Sequence, residues 1–336
     1  MSACFFFEFS TTCITFEVTE PGLHTIRTAL GSFFYTAMAQ KPAKNIAQQI
    51  ELLKSRGMQF KNEDQAPHFL KNISYYRLKG YWWDRQIDRV HHTFQDNTFF
   101  EDIIDRYNFD RHLRLILFDA IERIEVALRT QMIYHLSQDH GPVWYQNASL
   151  FSIPKYHAQN LSSLMREFKY SKEVFILDHK KRYPNEDPEA WKIMEIASMG
   201  TLSKFYKLLK HNLPSKSAVA NGMGLNLHKE LSSWLESITY VRNMVAHHSR
   251  LYSRDMVKRP IVSLKNPQGS WLNQPLDDVQ QKKVFPIISC MVFLCNKVTP
   301  GHHIKAKVKE LILTNPSIPV YKWGFLNQWE EQDLWI

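Results

Sequence analysis

A cation, an amide and an imidazole share one face of a helix that the hydrophobic pattern predicts over about residues 228–255. At about 100° per residue, Arg242, Asn243 and His247 fall within a polar arc about 140° wide. His248 projects onto the opposite, apolar side, which predicts that it is buried over the core. An imidazole exchanges protons near neutral pH, and a guanidinium binds phosphate oxygens without losing its charge. This set suits cleavage of a phosphodiester by an adjacent ribose hydroxyl, a reaction that needs no metal.

The end of this helix carries a further cation, Arg250, which we expect to contact a backbone phosphate. The same residues also fit a solvated helix face with a basic C-terminal end, where positive charge is favourable. Arg and His are common residues, so their spacing alone leaves both interpretations open.

A second long helix is predicted from about residue 98 to residue 140. A break near Asn108 is expected, because about 40 helical residues would span about 60 Å. Three of its charged residues share one face: Glu122, Glu125 and Arg129. They fit a ladder of ion pairs, or groups that orient the helix opposite. Arg106 and His112 form a second, looser pair of Arg and His, which we interpret as structural.

Two stretches place cations where they could contact nucleic acid. SYYRLKGYWW mixes aromatic rings with Arg77 and Lys79, which fits either a surface for stacked bases or an aromatic packing corner. MGTLSKFYKLLK predicts a helix with Lys204 and Lys207 pointing outward, which fits phosphate contacts or a solvated face.

The composition indicates a packed globule with an acidic partner. Apolar residues make up 44% and aromatic residues 13% of the 336 residues. A net charge of +9 at pH 7 favours nucleic acid as a partner before a membrane surface. No apolar run approaches the roughly 20 residues that span a bilayer, and the N-terminus is a poor signal peptide. A cytoplasmic protein with no membrane partner is therefore expected.

Neither a metal nor a cofactor is predicted. The four cysteines lack a C-x-x-C spacing, and Cys290 and Cys295 lie in an apolar helical run that indicates buried thiols. A metal-dependent nuclease would need a cluster of carboxylates, and Asp102, Asp105 and Glu122 form no recognisable one.

Five stretches resemble, in order and spacing, the bacterial abortive-infection (Abi) family of the AbiD/AbiF type: HFLKNISYYRLKGYW, YNFDRHLRLILFDAIERIEVALRTQ, GPVWY, MGTLSKFYKLLK and SWLESITYVRNMVAHHSRLY. Within the last, RNMVAHHSR resembles the R-x4-H signature of HEPN-domain ribonucleases. The resemblance covers the chain from about Lys41 to its end. It implies an all-α, HEPN-like helical bundle with additional helices.

The resemblance also implies a function, a metal-independent endoribonuclease toxin of phage defence or of the toxin–antitoxin type. Arg242 and His247 match the catalytic positions of the motif, and Asn243 matches a supporting polar residue. HEPN enzymes generally build their cleft from two chains, so a homodimer is expected. An antitoxin, either a small RNA or a protein, is the other expected partner beside the RNA substrate.

Two boundaries and one alternative complete these expectations. Residues 1–37 match nothing in the family and are expected to be an N-terminal extension outside the fold. Residues 38–336 are expected to form the Abi/HEPN-like domain. The alternative function is a non-catalytic HEPN-fold module that binds RNA or acts as an antitoxin, and RNA cleavage by the purified protein would separate it from an enzyme.

Overall fold

α-Helices dominate the computed structural model, which describes residues 42–336 except residue 266. The described residues form twelve α-helices: α1 (Ile46–Ser55), α2 (Ala66–Ile73), α3 (Tyr75–Trp82), α4 (Phe100–His140), α5 (Pro154–Tyr170), α6 (Val174–Arg182), α7 (Ala190–Ile193), α8 (Met199–Leu208), α9 (Pro214–Gly222), α10 (His228–Ala246), α11 (Phe285–Val298) and α12 (Ile304–Leu313). One short antiparallel pair, β1 (Gln86–Asp88) and β2 (Thr93–Phe94), lies between α3 and α4. The predicted all-α class is confirmed.

The predicted N-terminal extension, residues 1–37, lies outside the described residues. The helices all belong to one unit, Ile46–Ile336. Within the described residues, no helix is both long enough and apolar enough to cross a membrane.

Helix α4 is the central helix of this unit, and it is continuous over 41 residues. Helices α3 and α8 to α12 all pack against it. The predicted break near Asn108 is wrong. The sequence of α4 contains no Pro or Gly that would interrupt its hydrogen bonds. Neighbours also support it along its length, with α3 near Asp110 and α9 near Gln131.

The core fills the space between α4, α10 and α11. Helix α11 is buried all round, and its thiols Cys290 and Cys295 are free and buried, as the apolar run predicts. On α10, the indole of Trp234 stacks on Trp271 with 5.0 Å between ring centroids, and both rings meet the edge of Phe293. This packing fixes one face of α10, and on the other side Asn243 is exposed and Arg242 is half-exposed.

Helix α10 ends at Ala246, well before the predicted end near residue 255. The N–H of Ser249 donates to the carbonyl of Met244 at 2.7 Å, and the N–H of His248 donates to that of Val245 at 3.0 Å. His248 takes the left-handed conformation, with φ of 55°. These features form a Schellman motif, which satisfies the last carbonyls of the helix and turns the chain away from it.

Candidate active site at the end of helix α10

A groove of about 410 Å³ lies between α3 and the turn that follows α10. Tyr76 and Arg77 line it from α3, and His247 and Arg250 line it from the turn. His248 lines it as well, so two histidines, two arginines and the ring of Tyr76 meet in one groove. The predicted catalytic His247 and the predicted RNA contact Arg77 come together here, although 170 residues separate them in the sequence.

His247 is the C-cap residue directly after α10, where the turn begins. Its N–H still donates to the carbonyl of Asn243 at 3.0 Å, so the residue keeps its place on the polar arc. Its side chain is exposed, and its ring makes no hydrogen bond with the described residues. The imidazole is thus accessible for proton exchange with a ligand in the groove.

The prediction that His248 is buried over the core is wrong. Its side chain is exposed, because the left-handed turn moves it out of the helical projection. Its carbonyl oxygen accepts a hydrogen bond of 2.7 Å from Nη1 of Arg77. Arg77 therefore holds the turn while its side chain lines the groove.

Replacing His248 with glycine should raise the stability of the protein. A residue with a β-carbon is strained in the left-handed region, where glycine is the usual occupant of this position in a helix end. We expect His248→Gly to raise the free energy of unfolding by about 0.5–1 kcal/mol, because the relieved strain exceeds the extra chain entropy that glycine loses on folding. Urea denaturation measures it, with the exposed His68→Gly in mid-helix α2 as the control that should lose stability. A loss of stability in both variants would contradict this account of the turn.

Arg242 lies on a different side of α10 from His247. The two residues are five apart, which separates their side chains by about 140° around the helix axis. Arg242 is half-exposed and does not line the groove of His247. Its Nη1 lies 3.5 Å from Oδ1 of Asn243, which is exposed between the two. Within one chain, the predicted catalytic pair is not gathered in a single groove.

The three charged residues of α4 that were predicted to share one face lie in two different surroundings. Arg129 bonds Glu125 at 3.1 Å and also donates from Nε to the carbonyl of Met194 at 2.8 Å. Burial raises the pKa of Glu125, and the charges of Arg129 and Arg242 oppose that rise. The charge of Arg242 on α10 therefore lies near enough to Glu125 to affect its pKa. Glu122 is exposed and lines a different groove, so the structure does not bring it to the site.

Arg250 forms a wall of the groove. Its Nη1 donates to the carbonyl of Tyr252, and burial lowers the pKa of its guanidinium. The guanidinium packs against Gly80 of α3, where a β-carbon would lie 2.8 Å from Nε of Arg250. Gly80 thus permits the close approach of α3 to the turn. The predicted contact of Arg250 with a phosphate stays a prediction.

Asp110 of α4 holds the turn after α10 through hydrogen bonds to its backbone. The sequence pattern alone did not predict this role. Its carboxylate is fully buried and accepts hydrogen bonds from the backbone N–H groups of Leu251 and Tyr252, the latter at 2.8 Å. The carboxylate also accepts hydrogen bonds from three side chains: from Oη of Tyr81 at 2.8 Å, from Nε1 of Trp323 at 3.2 Å, and from the guanidinium of Arg114. A signal for it exists in the sequence, because Asp110 and Arg114 interrupt an apolar helix face at a spacing of four residues.

A model of the family described as Abi-like protein matches residues 68–253. The chain belongs to the Abi-like family. No curated protein and no solved structure matches the chain significantly. The matched span contains both sides of the groove, α4 and all of α10. Trp323, which completes the shell around Asp110, lies beyond it.

A second anchor in this Abi-like chain accounts for Arg106. Its Nη1 lies 3.2 Å from Oδ1 of Asp84, and its guanidinium lies over the ring of Tyr252. Burial acts to raise the pKa of Asp84, but the hydrogen bond from Tyr252 and the charges of Arg106 and Lys322 outweigh it, so the pKa is lowered. His112 is exposed on α4 and takes no part in this anchor. The structural interpretation of Arg106 agrees with these contacts.

The aromatic stretch of α3 has buried rings and one largely exposed ring, and its use as a surface for stacked bases stays a prediction. Tyr81 and Trp82 are buried and form the packing corner. Tyr76 is 84% exposed and stands at the groove beside Arg77. Lys79 lies over the ring of Trp83, with Nζ 5.5 Å from the centroid, and does not line the groove.

The two lysines of α8 lie elsewhere in the Abi-like chain. Lys204 and Lys207 are exposed, as predicted, and line a separate groove between α5 and α8. Lys207 pairs with Glu236 of α10 at 2.8 Å.

Two of the three carboxylates weighed for a metal-dependent nuclease, Asp102 and Asp105, lie near the start of α4, far along the helix from Glu122. Oδ1 of Asp102 is 2.5 Å from Nζ of Lys61, and burial raises the pKa of Asp105. Among the residues that the structure describes, no three His, Cys, Asp or Glu side chains are grouped as ligands of a metal ion. The expectation that no metal or cofactor takes part stays a prediction.

Proposed function

We propose that this Abi-like chain is a metal-independent endoribonuclease toxin with an AbiD/AbiF-like, HEPN-type site. Family membership supports a role in abortive infection. The observation that carries the ribonuclease proposal is the exposed imidazole of His247 in an open groove, with Arg77 and Tyr76 beside it. Binding and cleavage of single-stranded RNA need three groups: one that transfers protons, a cation that binds phosphate, and a ring on which a base can stack.

The reaction follows from these groups. The ribose 2′-hydroxyl gives up its proton as its oxygen attacks the adjacent phosphorus, the bond from phosphorus to the 5′-oxygen breaks, and the leaving 5′-oxygen takes up a proton. His247 moves one of these protons as general base or general acid. Arg242 stabilises the negative charge that grows on the pentavalent phosphate, and Asn243 holds its guanidinium. The products are a 2′,3′-cyclic phosphate and a 5′-hydroxyl.

We further propose that two chains complete the cleft. Arg242 and His247 of one chain point about 140° apart around α10, so a second α10 facing the first would bring the Arg of each chain toward the His of the other. A small RNA or a protein antitoxin would silence the toxin by occupying this cleft. The net charge of +9 suits an RNA in either role.

Cleavage of RNA by the purified protein tests the proposed activity. We expect cleavage that persists in EDTA, fails on DNA of the same sequence, and falls more steeply than the protein concentration on dilution. His247→Ala, purified in the same way, is the control for contaminating nucleases. Activity that EDTA removes and magnesium restores would contradict the proposal. RNA binding without any cleavage would favour the non-catalytic alternative.

A further inference from the structure

A second groove, of about 620 Å³, lies between α5 and α8 and has a polar floor. Asn160 of α5 and Ser203 of α8 line it, and only 8% and 3% of their surfaces are exposed. Nδ2 of Asn160 has no hydrogen-bond partner among the residues that the structure describes. Because an unpaired buried amide group is costly, a ligand that draws this NH2 group toward the groove would satisfy it.

The rim of this groove combines an aromatic ring with cations. Tyr156 of α5 is 52% exposed, and Lys204 and Lys207 of α8 stand on the other side. Glu236 also lines the groove, but its carboxylate already faces Lys207 at 2.8 Å and Lys258 at 3.5 Å. The lysines thus outnumber the carboxylate, and the rim favours an anionic ligand.

The groove lies along the same stripe of α10 as the candidate catalytic group. Glu236 and His247 are eleven residues apart, which places them within about 20° around the helix and about 16 Å along its axis. Asn243, seven residues after Glu236, is exposed between them on this stripe. An extended strand that passes His247 can therefore follow this partly exposed side of α10 past Asn243 to the groove.

We infer that the groove between α5 and α8 is a nucleotide-binding subsite for single-stranded RNA. One base stacks on Tyr156 and accepts a hydrogen bond from Nδ2 of Asn160, through a carbonyl oxygen or a ring nitrogen. Lys204 and Lys207 bind the flanking phosphates. The inference rests on the proposed function, since it names where the substrate of the His247 site is held at a distance from the scissile bond.

The test measures binding of a labelled 15-nucleotide single-stranded RNA to the full chain by fluorescence anisotropy. All its ribose 2′-oxygens carry methyl groups, so the RNA cannot be cleaved by 2′-hydroxyl attack. We expect Tyr156→Ala to weaken binding at least about fivefold, which is the low end of the range for loss of one stacked base. Lys204→Gln should lower the slope of log affinity against log salt concentration by about one, as expected for one lost phosphate contact. Asn160→Ala should also weaken binding, with its fold checked by thermal melting.

Matched controls come from the same helix. Tyr170 is 70% exposed at the end of α5, and Lys155 is exposed near its start, and neither lines the groove. Tyr170→Ala and Lys155→Gln should bind like the unchanged chain. If Tyr156→Ala and Lys204→Gln bind as tightly as these controls, the subsite is overturned and the groove is left to a protein partner. Cleavage by the unchanged chain is a separate readout, so failure of the subsite and failure of the proposed function remain distinguishable.

Discussion

Replacing His247 with alanine should abolish RNA cleavage and growth inhibition and leave the fold intact. Loss of a general acid or base slows a reaction about 10²- to 10⁴-fold, which is enough to remove toxicity. The side chain is exposed and makes no hydrogen bond with the described residues, so its loss should not change the melting temperature. Arg242→Ala should cause a similar loss of activity, since the proposed pentavalent phosphate loses the charge that stabilises it.

The control for the His247 experiment is His112, which belongs to the second, looser pair of Arg and His in the sequence. His112 is exposed on α4, as His247 is exposed at the end of α10, but it lies outside the groove. Bacteria that express His112→Ala should stop growing as they do with the unchanged protein, and thermal melting should be the same for all three variants. A fully toxic His247→Ala protein would remove His247 from the mechanism.

Of the substitutions proposed for this protein, Asp110→Ala should cause the largest loss of stability. The carboxylate is fully buried, and its removal leaves the guanidinium of Arg114 buried without its ion-pair partner. Breaking a buried pair in this way costs about 3–5 kcal/mol of unfolding free energy. The backbone N–H groups of Leu251 and Tyr252 lose their acceptor as well, so the turn that carries His247 should loosen. Urea denaturation measures the first effect, and hydrogen exchange at residues 247–252 measures the second.

Two variants separate this effect from a general sensitivity to lost charge. Asp178 forms an exposed pair with Arg182 at 2.9 Å and the same i,i+4 spacing, so Asp178→Ala should change stability far less. The double variant Asp110→Leu with Arg114→Leu should recover only the part of the loss that comes from the unpaired guanidinium, because the N–H groups of Leu251 and Tyr252 still lack their acceptor. Equal destabilisation by Asp110→Ala and Asp178→Ala would show that Asp110 does not anchor the turn.

The fold class could be predicted because the apolar pattern of each helix is local. Much of α10 was placed correctly, but its end was not. The usual signal for such an end is a glycine, and here His248 occupies the left-handed position. Contacts from distant residues hold it there, through Arg77 and Asp110. A helical projection cannot reveal these contacts, and so it assigned His248 to the core.

The site was predictable in its residues and not in its arrangement. The order of motifs pointed to His247 and Arg77, and only the packing of α3 against the turn shows that they share a groove. Lys204 and Lys207 were correctly expected to point outward, but nothing in their spacing indicated that they face Tyr156. The role of Asp110 depends on Trp323, more than 200 residues away, and so it could not be read from one helix.

The end groups of one purified cleavage product test the central claim most directly. If His247 and Arg242 act without a metal, the attacking group is the ribose 2′-hydroxyl. A short RNA with one cleavage site should then yield a 5′ fragment with a 2′,3′-cyclic phosphate and a 3′ fragment with a 5′-hydroxyl. A single 2′-deoxy substitution at that site should stop the reaction. A 5′-phosphate on the product, or cleavage at the deoxy position, would contradict the account.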